Sequence, residues 1–142
     1  MNNITIVGTS HLALVVSSGF LSKGFKVNVL SDDKKHIDNL KKLKFPIFEP
    51  GVNESYKKSL KNNKLSLNYL GEKSLDNDDI IYLAEDVTKT KEGADLTNFF
   101  SLINKICKIK KTTFRLMIST QLPVGTSKKL IKKINAKRLE MN

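Results

Sequence analysis

The sequence contains no tryptophan and a single cysteine, Cys107. One thiol cannot form an internal disulfide, which excludes a disulfide-stabilised secreted domain and fits a reducing cytoplasm. No apolar run approaches the roughly 20 residues that a membrane-spanning helix needs. The first residues carry neither the charged start nor the cleavage site of a signal peptide. We therefore expect a cytoplasmic protein that does not enter a membrane.

Acidic residues are scarce: the sequence has 14 Asp and Glu but 25 Lys and Arg, which gives a net charge of +11 at pH 7. Arginine is scarce too, with only Arg115 and Arg138. Proteins that read nucleic-acid bases use arginine forks and exposed aromatic rings, which are missing here. The lysines are spread along several predicted helix faces, which indicates a solvated surface rather than a nucleic-acid site. Such a surface still attracts anionic ligands such as nucleotides.

One strong local pattern is present near the N-terminus. The run from Ile4 to Val7 is apolar and has the length of a buried strand, and Gly8 ends it. The next apolar residues recur at helical spacing, Gly24 follows them as a C-terminal glycine, and Val27 to Leu30 predicts a second strand. Strand, glycine turn, helix and strand form a βαβ unit. The free N–H groups and the positive dipole end of its helix favour a pyrophosphate over the turn.

The dinucleotide fingerprint G-x-G-x-x-G is only partly present in this turn. Its three positions hold Gly8, Ser10 and Ala13. Alanine is an accepted third residue, but serine at the second position adds a side chain where the backbone should approach the pyrophosphate. The acidic residue expected at the end of the second strand is displaced, since Ser31 stands there and Asp32 follows. The residues alone leave two hypotheses open, a dinucleotide-binding domain and a related fold that has lost the cofactor.

The rest of the chain alternates between strand-like and helix-like segments, which predicts a single α/β domain over residues 1–142. We expect a Rossmann-type, doubly wound parallel sheet of five or six strands. A clear helix capped by Asp95 should place Cys107 on its apolar face, as a core residue. Asp76, Asp78 and Asp79 lack the full ligand spacing of a metal loop, so no metal site is predicted. The other expected segments are helices after Asp33, over Val52–Asn62 and after Pro123, strands over Lys64–Leu70, Asp79–Ala84 and Thr113–Ser119, and a charged loop over Glu85–Ala94.

Four motifs occur in a familiar order along the chain. They are the Gly8 turn, P-I-F-E-P-G-V at Pro46–Val52, A-D-L at Ala94–Leu96 and S-T-Q-L-P-V-G-T at Ser119–Thr126. Together they resemble the N-terminal NAD-binding domain of the UDP-glucose/GDP-mannose dehydrogenase family, over nearly the whole chain. The second and fourth motifs are the most specific, because neither is general to Rossmann folds. The resemblance implies a family that oxidises the C6 alcohol of a nucleotide sugar to a carboxylate with two NAD reductions.

The resemblance also implies a set of cofactor-binding residues, with NAD as the cofactor and a nucleotide sugar as a possible second partner. The glycine turn would meet the pyrophosphate, and the end of the second strand would lie near the adenosine ribose. The segments after the fourth and fifth strands would lie along the nicotinamide side. His11 could contact a phosphate or be an exposed first-turn residue, whereas His36 is predicted to be helix surface. The predicted cofactor-binding residues are Gly8, Thr9, Ser10, His11, Leu12, Ala13, Ser31, Asp32, Ala84, Glu85 and Thr120.

Two departures from the family pattern bear on function. The loop after the fourth strand reads like V-G-T-P in the family but Glu85-Asp86-Val87-Thr88 here, which sets two carboxylates beside an anionic ligand. The family's catalytic cysteine and lysine lie in parts of the family chain that this sequence does not contain, so no catalytic residue is predicted. We expect an NAD-binding domain that oxidises a sugar only when it is joined to a catalytic half. The alternative is a divergent binding module without a cofactor.

Overall fold

The computed structural model describes residues 3–71, 75, 80–91, 93–109 and 114–140, without the side chains of 137–140. The acidic cluster Asp76, Asp78 and Asp79 lies outside these residues. Among the described helices, none has the length and apolar character needed to cross a membrane. The elements are strands β1 (Asn3–Val7), β2 (Lys26–Ser31), β3 (Leu65–Tyr69), β4 (Ile80–Leu83), β5 (Thr88–Thr90), β6 (Gly93–Asp95) and β7 (Arg115–Ile118), and helices α1 (His11–Ser22), α2 (Lys34–Lys41), α3 (Val52–Lys61), α4 (Thr97–Ile109) and α5 (Thr126–Glu140).

Five parallel strands form the main sheet, in the order β3-β2-β1-β4-β7. β1 is central, because Val7 pairs with Leu30 of β2 on one side and with Leu83 of β4 on the other. The chain winds outward from β1 to β3, then returns to β4 and β7, which confirms the predicted doubly wound fold. Ligands of such sheets bind at the carboxyl edge, where the strand order reverses. Here the reversal falls between β1 and β4.

Helices cover both faces of the sheet and build two cores. Side chains of α1, α2 and α3 pack with Ile4 and Ile6 of β1. Side chains of α4 and α5 pack with Val7 of β1 and Ile81 of β4. The residues of β1 therefore enter both cores, as expected of a central strand in a sheet with two covered faces. Cys107 belongs to the second core and is buried, which confirms the prediction that it is a core residue.

The segment after β4 differs from the prediction, which made Glu85–Ala94 a charged loop. It contains an antiparallel pair of short strands, in which Thr88 pairs with Asp95 and Thr90 with Gly93. Gly93 adopts φ +126°, which a residue with a side chain rarely does, and lets the chain reverse there. Every residue of both strands is exposed, so no apolar alternation marks them in the sequence. The loop prediction was wrong at this hairpin.

Helix α4 begins at Thr97, two residues after its predicted cap, Asp95. The Asp95 Oδ1 atom accepts a hydrogen bond from the Thr97 N–H at 2.9 Å, so the carboxylate does satisfy a free donor at the helix start. Hydrogen bonds from the Thr97 side chain and from its backbone N–H lower the pKa of Asp95. Asp95 therefore caps the start of α4, as the sequence predicted, although Asp95 itself is the last residue of β6.

Candidate functional site

The glycine turn lies at the carboxyl end of β1, at the point where the two halves of the sheet meet. Gly8 donates its N–H to the Leu30 carbonyl at 2.9 Å and adopts φ +133°. A β-carbon built on Gly8 would lie 2.6 Å from the Ala84 carbonyl oxygen, just past β4. The backbone angle and this close approach both require glycine. The turn thus brings the ends of β1 and β4 into direct contact.

Ser10 is the N-cap residue of α1, and its hydroxyl points back into the protein. The Oγ atom donates to the Ala84 carbonyl at 2.9 Å and accepts from the Ala13 N–H at 3.5 Å. Ala13 is fully buried, as the third fingerprint position should be where the helix packs on the strand. The side chain of Ser10 is therefore engaged with the end of β4. The N–H groups of the first turn, which have no partner within an α-helix, lie at this edge of the sheet.

Glu85 brings a carboxyl group into the glycine turn. Its Oε2 atom accepts a hydrogen bond from the Thr9 N–H at 3.1 Å. The same oxygen lies 2.6 Å from the position that a β-carbon on Gly8 would take. Thr120, which follows β7, holds the backbone of this residue, because its hydroxyl donates to the Glu85 carbonyl at 2.9 Å. The structure therefore brings together four predicted site residues, Gly8, Thr9, Glu85 and Thr120. It also places the Glu85 carboxyl group beside the predicted pyrophosphate-binding position.

The charge of Glu85 depends on its burial at this edge. Burial raises the pKa of Glu85 to about 7, against a smaller opposing effect of the Thr9 N–H. The neighbouring carboxylates Asp86 and Asp32 make smaller contributions to this increase in pKa. Asp86 is exposed, so only one member of the Glu85-Asp86 pair enters the turn. The carboxyl group in the turn is therefore partly protonated near neutral pH.

The end of β2 carries the residues predicted to lie near the adenosine ribose. Ser31 is buried, and its Oγ atom accepts from the Asp33 N–H at 3.1 Å. Asp32 forms an ion pair with Lys105 of α4, at 2.7 Å between Oδ2 and Nζ. Asp33 caps α2, where its carboxylate accepts from the His36 N–H at 3.1 Å. The two aspartates therefore differ in role: Asp32 forms an ion pair with α4, and Asp33 is the N-cap of α2.

His11 is the exposed first residue of α1 and pairs with Glu49 of the E-P-G loop. The His11 Nε2 and Glu49 Oε2 atoms are 2.9 Å apart. His11 is exposed in the first turn of α1, and its contact with a phosphate stays a prediction. Leu12, the next predicted site residue, is half-buried and packs against the first core. The contact with His11 gives Glu49 a structural role that the sequence did not indicate.

A cleft of about 180 Å³ opens beside Thr9 and α2. His36 is exposed, as predicted, but its Nδ1 atom also lies 3.2 Å from Thr9 Oγ1. Sequence reasoning missed both His36 and Lys105 as neighbours of the site, because their partners lie 27 and 73 residues away in the chain. No local sequence signal could have found them. The cleft is lined by Thr9, His36, Asn39, Leu40, Lys44, Phe45 and Pro46.

These features define a dinucleotide-binding α/β domain, with a glycine turn and a helix N-terminus at the switch point of a parallel sheet. Comparison with known proteins places it more narrowly. Residues 2–142 match the family model described as the UDP-glucose/GDP-mannose dehydrogenase family, NAD binding domain. The chain belongs to this family and corresponds to its NAD-binding domain. The resemblance predicted from four motifs is therefore confirmed.

Several curated relatives are UDP-glucose 6-dehydrogenases. One from Bacillus subtilis is 31% identical over 126 residues, which cover 88% of this chain and 29% of the relative. One from Rickettsia prowazekii is 27% identical over 143 residues, which cover 99% of this chain and 32% of the relative. A solved UDP-D-ManNAc dehydrogenase from Pyrococcus horikoshii has a TM-score of 0.87 at 18% identity, over 96% of this chain and 32% of that one. That likeness confirms the fold, and this chain spans about a third of the length of these relatives.

The residues of the turn fit the NAD of this family. Gly8 allows the tight turn that sets the N-terminus of α1 at the switch point, and the Ser10 hydroxyl is turned towards the Ala84 carbonyl. Glu85 is the exception, because a charged carboxylate beside a diphosphate is repulsive. Its protonated form removes that repulsion. Whether the turn can accept the NAD pyrophosphate without repulsion therefore depends on the protonation of Glu85.

Proposed function

We propose that this chain supplies the NAD-binding half of a nucleotide-sugar 6-dehydrogenase, and that residues 1–142 form its cofactor domain. The proposal rests on the glycine turn at the switch point of the sheet, where the strands of the two halves diverge. Family membership and the UDP-glucose 6-dehydrogenases among the relatives support a nucleotide sugar as the substrate of the whole protein. The single cysteine supports action in a reducing cytoplasm.

We assign the predicted site residues to three parts of the cofactor. The turn from Gly8 to Ala13 holds the pyrophosphate, through close backbone approach and the positive end of α1. Ser31 and Asp32 would hold the adenosine ribose, and residues at the ends of β4 and β7 would hold the nicotinamide. NAD, when bound, supplies the acceptor for the hydride that leaves the sugar carbon. The residues of this chain bind and orient that acceptor.

We propose that oxidation of the sugar needs the catalytic half of the family. A catalytic thiol must reach its substrate as a thiolate, whereas Cys107 is buried in the second core on α4. This chain alone should therefore bind NAD without oxidising UDP-glucose. An oxidation assay with UDP-glucose and NAD tests this point directly, and clear turnover by the isolated chain would contradict it.

Calorimetric titration with NAD at about pH 6 tests the cofactor site, with Gly8→Ala as the disruptive variant. A methyl group there meets the Ala84 carbonyl, so binding should weaken at least about ten-fold. Gly24→Ala is the matched control, because Gly24 also adopts a positive φ, +88°, but a β-carbon there would meet no other atom within 4 Å. Circular dichroism shows whether each variant folds. Absence of NAD binding by the wild type would refute the proposal and favour the module that has lost its cofactor.

A further inference from the structure

We propose that Glu85 links dinucleotide binding to a proton. The glycine turn accepts the cofactor's pyrophosphate when the Glu85 carboxyl is protonated, and repels it when the carboxylate is charged. This inference rests on the proposed function, because it concerns how the same turn receives NAD. Glu85 and Asp86 stand where the resemblance predicts a V-G-T-P loop, so we assign the role to this chain and not to its family.

The carboxyl group is held in the turn by contacts on both sides. Its Oε2 atom accepts the Thr9 N–H at 3.1 Å, and its own backbone carbonyl accepts the Thr120 hydroxyl at 2.9 Å. The preceding carbonyl, that of Ala84, accepts the Ser10 hydroxyl at 2.9 Å. Rotation of the carboxyl into solvent would leave the buried Thr9 N–H without this partner, which is unfavourable. In the free protein Glu85 therefore stays beside the turn.

The charged groups nearest to Glu85 are mainly acidic. Asp86 follows it in the chain, and Asp32 faces it from the end of β2. Lys105 of α4 is a positive group on that side, but its Nζ atom is paired with Asp32 at 2.7 Å. A diphosphate would add further negative charge at the same edge. These like charges favour the neutral form of Glu85, although Lys105 partly compensates that of Asp32.

Two histidines also lie near this edge, and their residue type changes charge near neutral pH. His11 on α1 pairs with Glu49, and His36 on α2 contacts Thr9. A positive charge on either side chain would also attract a diphosphate. A test must therefore remove the Glu85 carboxylate alone and leave the histidines in place.

The sign of the effect follows from proton linkage. The pKa of Glu85 is about 7 in the free protein, and a bound diphosphate raises it further. The complex then holds more proton than the free protein, so binding takes up protons and weakens as the pH rises. With this pKa, affinity should fall by about five- to ten-fold between about pH 6 and about pH 8.

Calorimetric titration of the whole chain with NAD at about pH 6, 7 and 8 tests this inference. Glu85→Gln removes the titrating group and keeps its shape. Glu54→Gln is the matched control, because it removes the same charge from an exposed position on α3. Titrations in two buffers of different ionisation enthalpy count the protons taken up. ADP serves as a diphosphate probe without nicotinamide, and adenosine as a probe without phosphate.

The inference requires that NAD and ADP bind the wild type and Glu54→Gln more weakly as the pH rises. Affinity for Glu85→Gln should be nearly constant, and adenosine should show little pH dependence throughout. An unchanged slope in Glu85→Gln would overturn the inference and assign the effect to the histidines. Tighter binding at high pH would also overturn it, because the carboxylate would then be leaving the turn.

The two proposals fail in different ways. NAD binding that is independent of pH in the wild type overturns the proton linkage and leaves the cofactor site standing. Absence of NAD binding in both the wild type and folded Glu85→Gln at every pH overturns the proposed function as well. If Glu85→Gln does not fold, Glu85→Met provides an uncharged side chain of similar length with the same expected result.

Discussion

Replacement of Glu85 by glutamine should stabilise the free protein at neutral and alkaline pH. Burial is the main reason that the pKa of this carboxyl is raised from 4.5 to about 7. Between these values the folded state holds a proton that the unfolded state has already lost. The free energy of unfolding of the wild type therefore falls as the pH rises through this range. Below it both states are protonated, and the penalty disappears.

The difference between the two pKa values corresponds to at most about 3 kcal/mol of unfolding free energy, fully developed above about pH 7.5. This is a large share of the roughly 5–15 kcal/mol that stabilises a typical domain. Glutamine cannot ionise, yet it keeps a carbonyl oxygen that can accept the Thr9 N–H. Glu85→Gln should therefore match the wild type near about pH 4.5 and exceed it by up to about 3 kcal/mol near about pH 8.

Urea unfolding followed by circular dichroism, at several pH values from about 5 to about 8, measures this difference. Other groups also titrate in this range, but they are shared by both proteins and cancel in the comparison. Glu54→Gln corrects for the general effect of losing one acidic charge from a domain of net charge +11. Parallel stability curves for the wild type and Glu85→Gln would refute the reasoning, since the carboxyl would then titrate as an exposed one.

Two further changes test single contacts. Ser10→Gly should alter NAD affinity by less than about three-fold, because the Ser10 hydroxyl donates to the Ala84 carbonyl and accepts the Ala13 N–H, and so is turned into the protein. A gain of about ten-fold in the NAD titration would show that this hydroxyl does obstruct the cofactor. Tyr56→Phe should lower the unfolding free energy by about 1 kcal/mol, because the buried Tyr56 hydroxyl lies 2.6 Å from Ser17 Oγ. Urea unfolding measures this loss, and an unchanged midpoint would mean that the hydrogen bond adds nothing net.

The first βαβ unit was predictable because all of its signals are local. An apolar run, a glycine and an apolar stripe at helical spacing lie within the first 30 residues. The β5–β6 hairpin has no such signal, because its short strands are fully exposed. Apolar residues recur at regular spacing only where one face of an element packs against a core. An element without a buried face therefore cannot be recognised from apolar spacing.

The position of Glu85 could not be predicted, because it depends on the register of strands that lie far apart in the chain. Val7 of β1 pairs with Leu83 of β4, so the residues that follow these strands leave the sheet side by side. The hydrogen bond between Thr9 and Glu85 spans 76 residues of sequence. The sequence did indicate two carboxylates near an anionic ligand. Only the strand register determines which of them enters the turn and which backbone donor it meets.

Two electrostatic effects of opposite sign act on a dinucleotide that approaches this edge. The net charge of +11, spread over lysine-rich surfaces, attracts anions from a distance. At physiological salt such attraction fades beyond about 8 Å. Glu85 acts at contact distance, where its oxygen is hydrogen-bonded to the turn at 3.1 Å and mobile ions do not intervene. The lysines therefore favour the encounter, whereas the protonation of Glu85, in our proposal, sets how tightly the dinucleotide is then held.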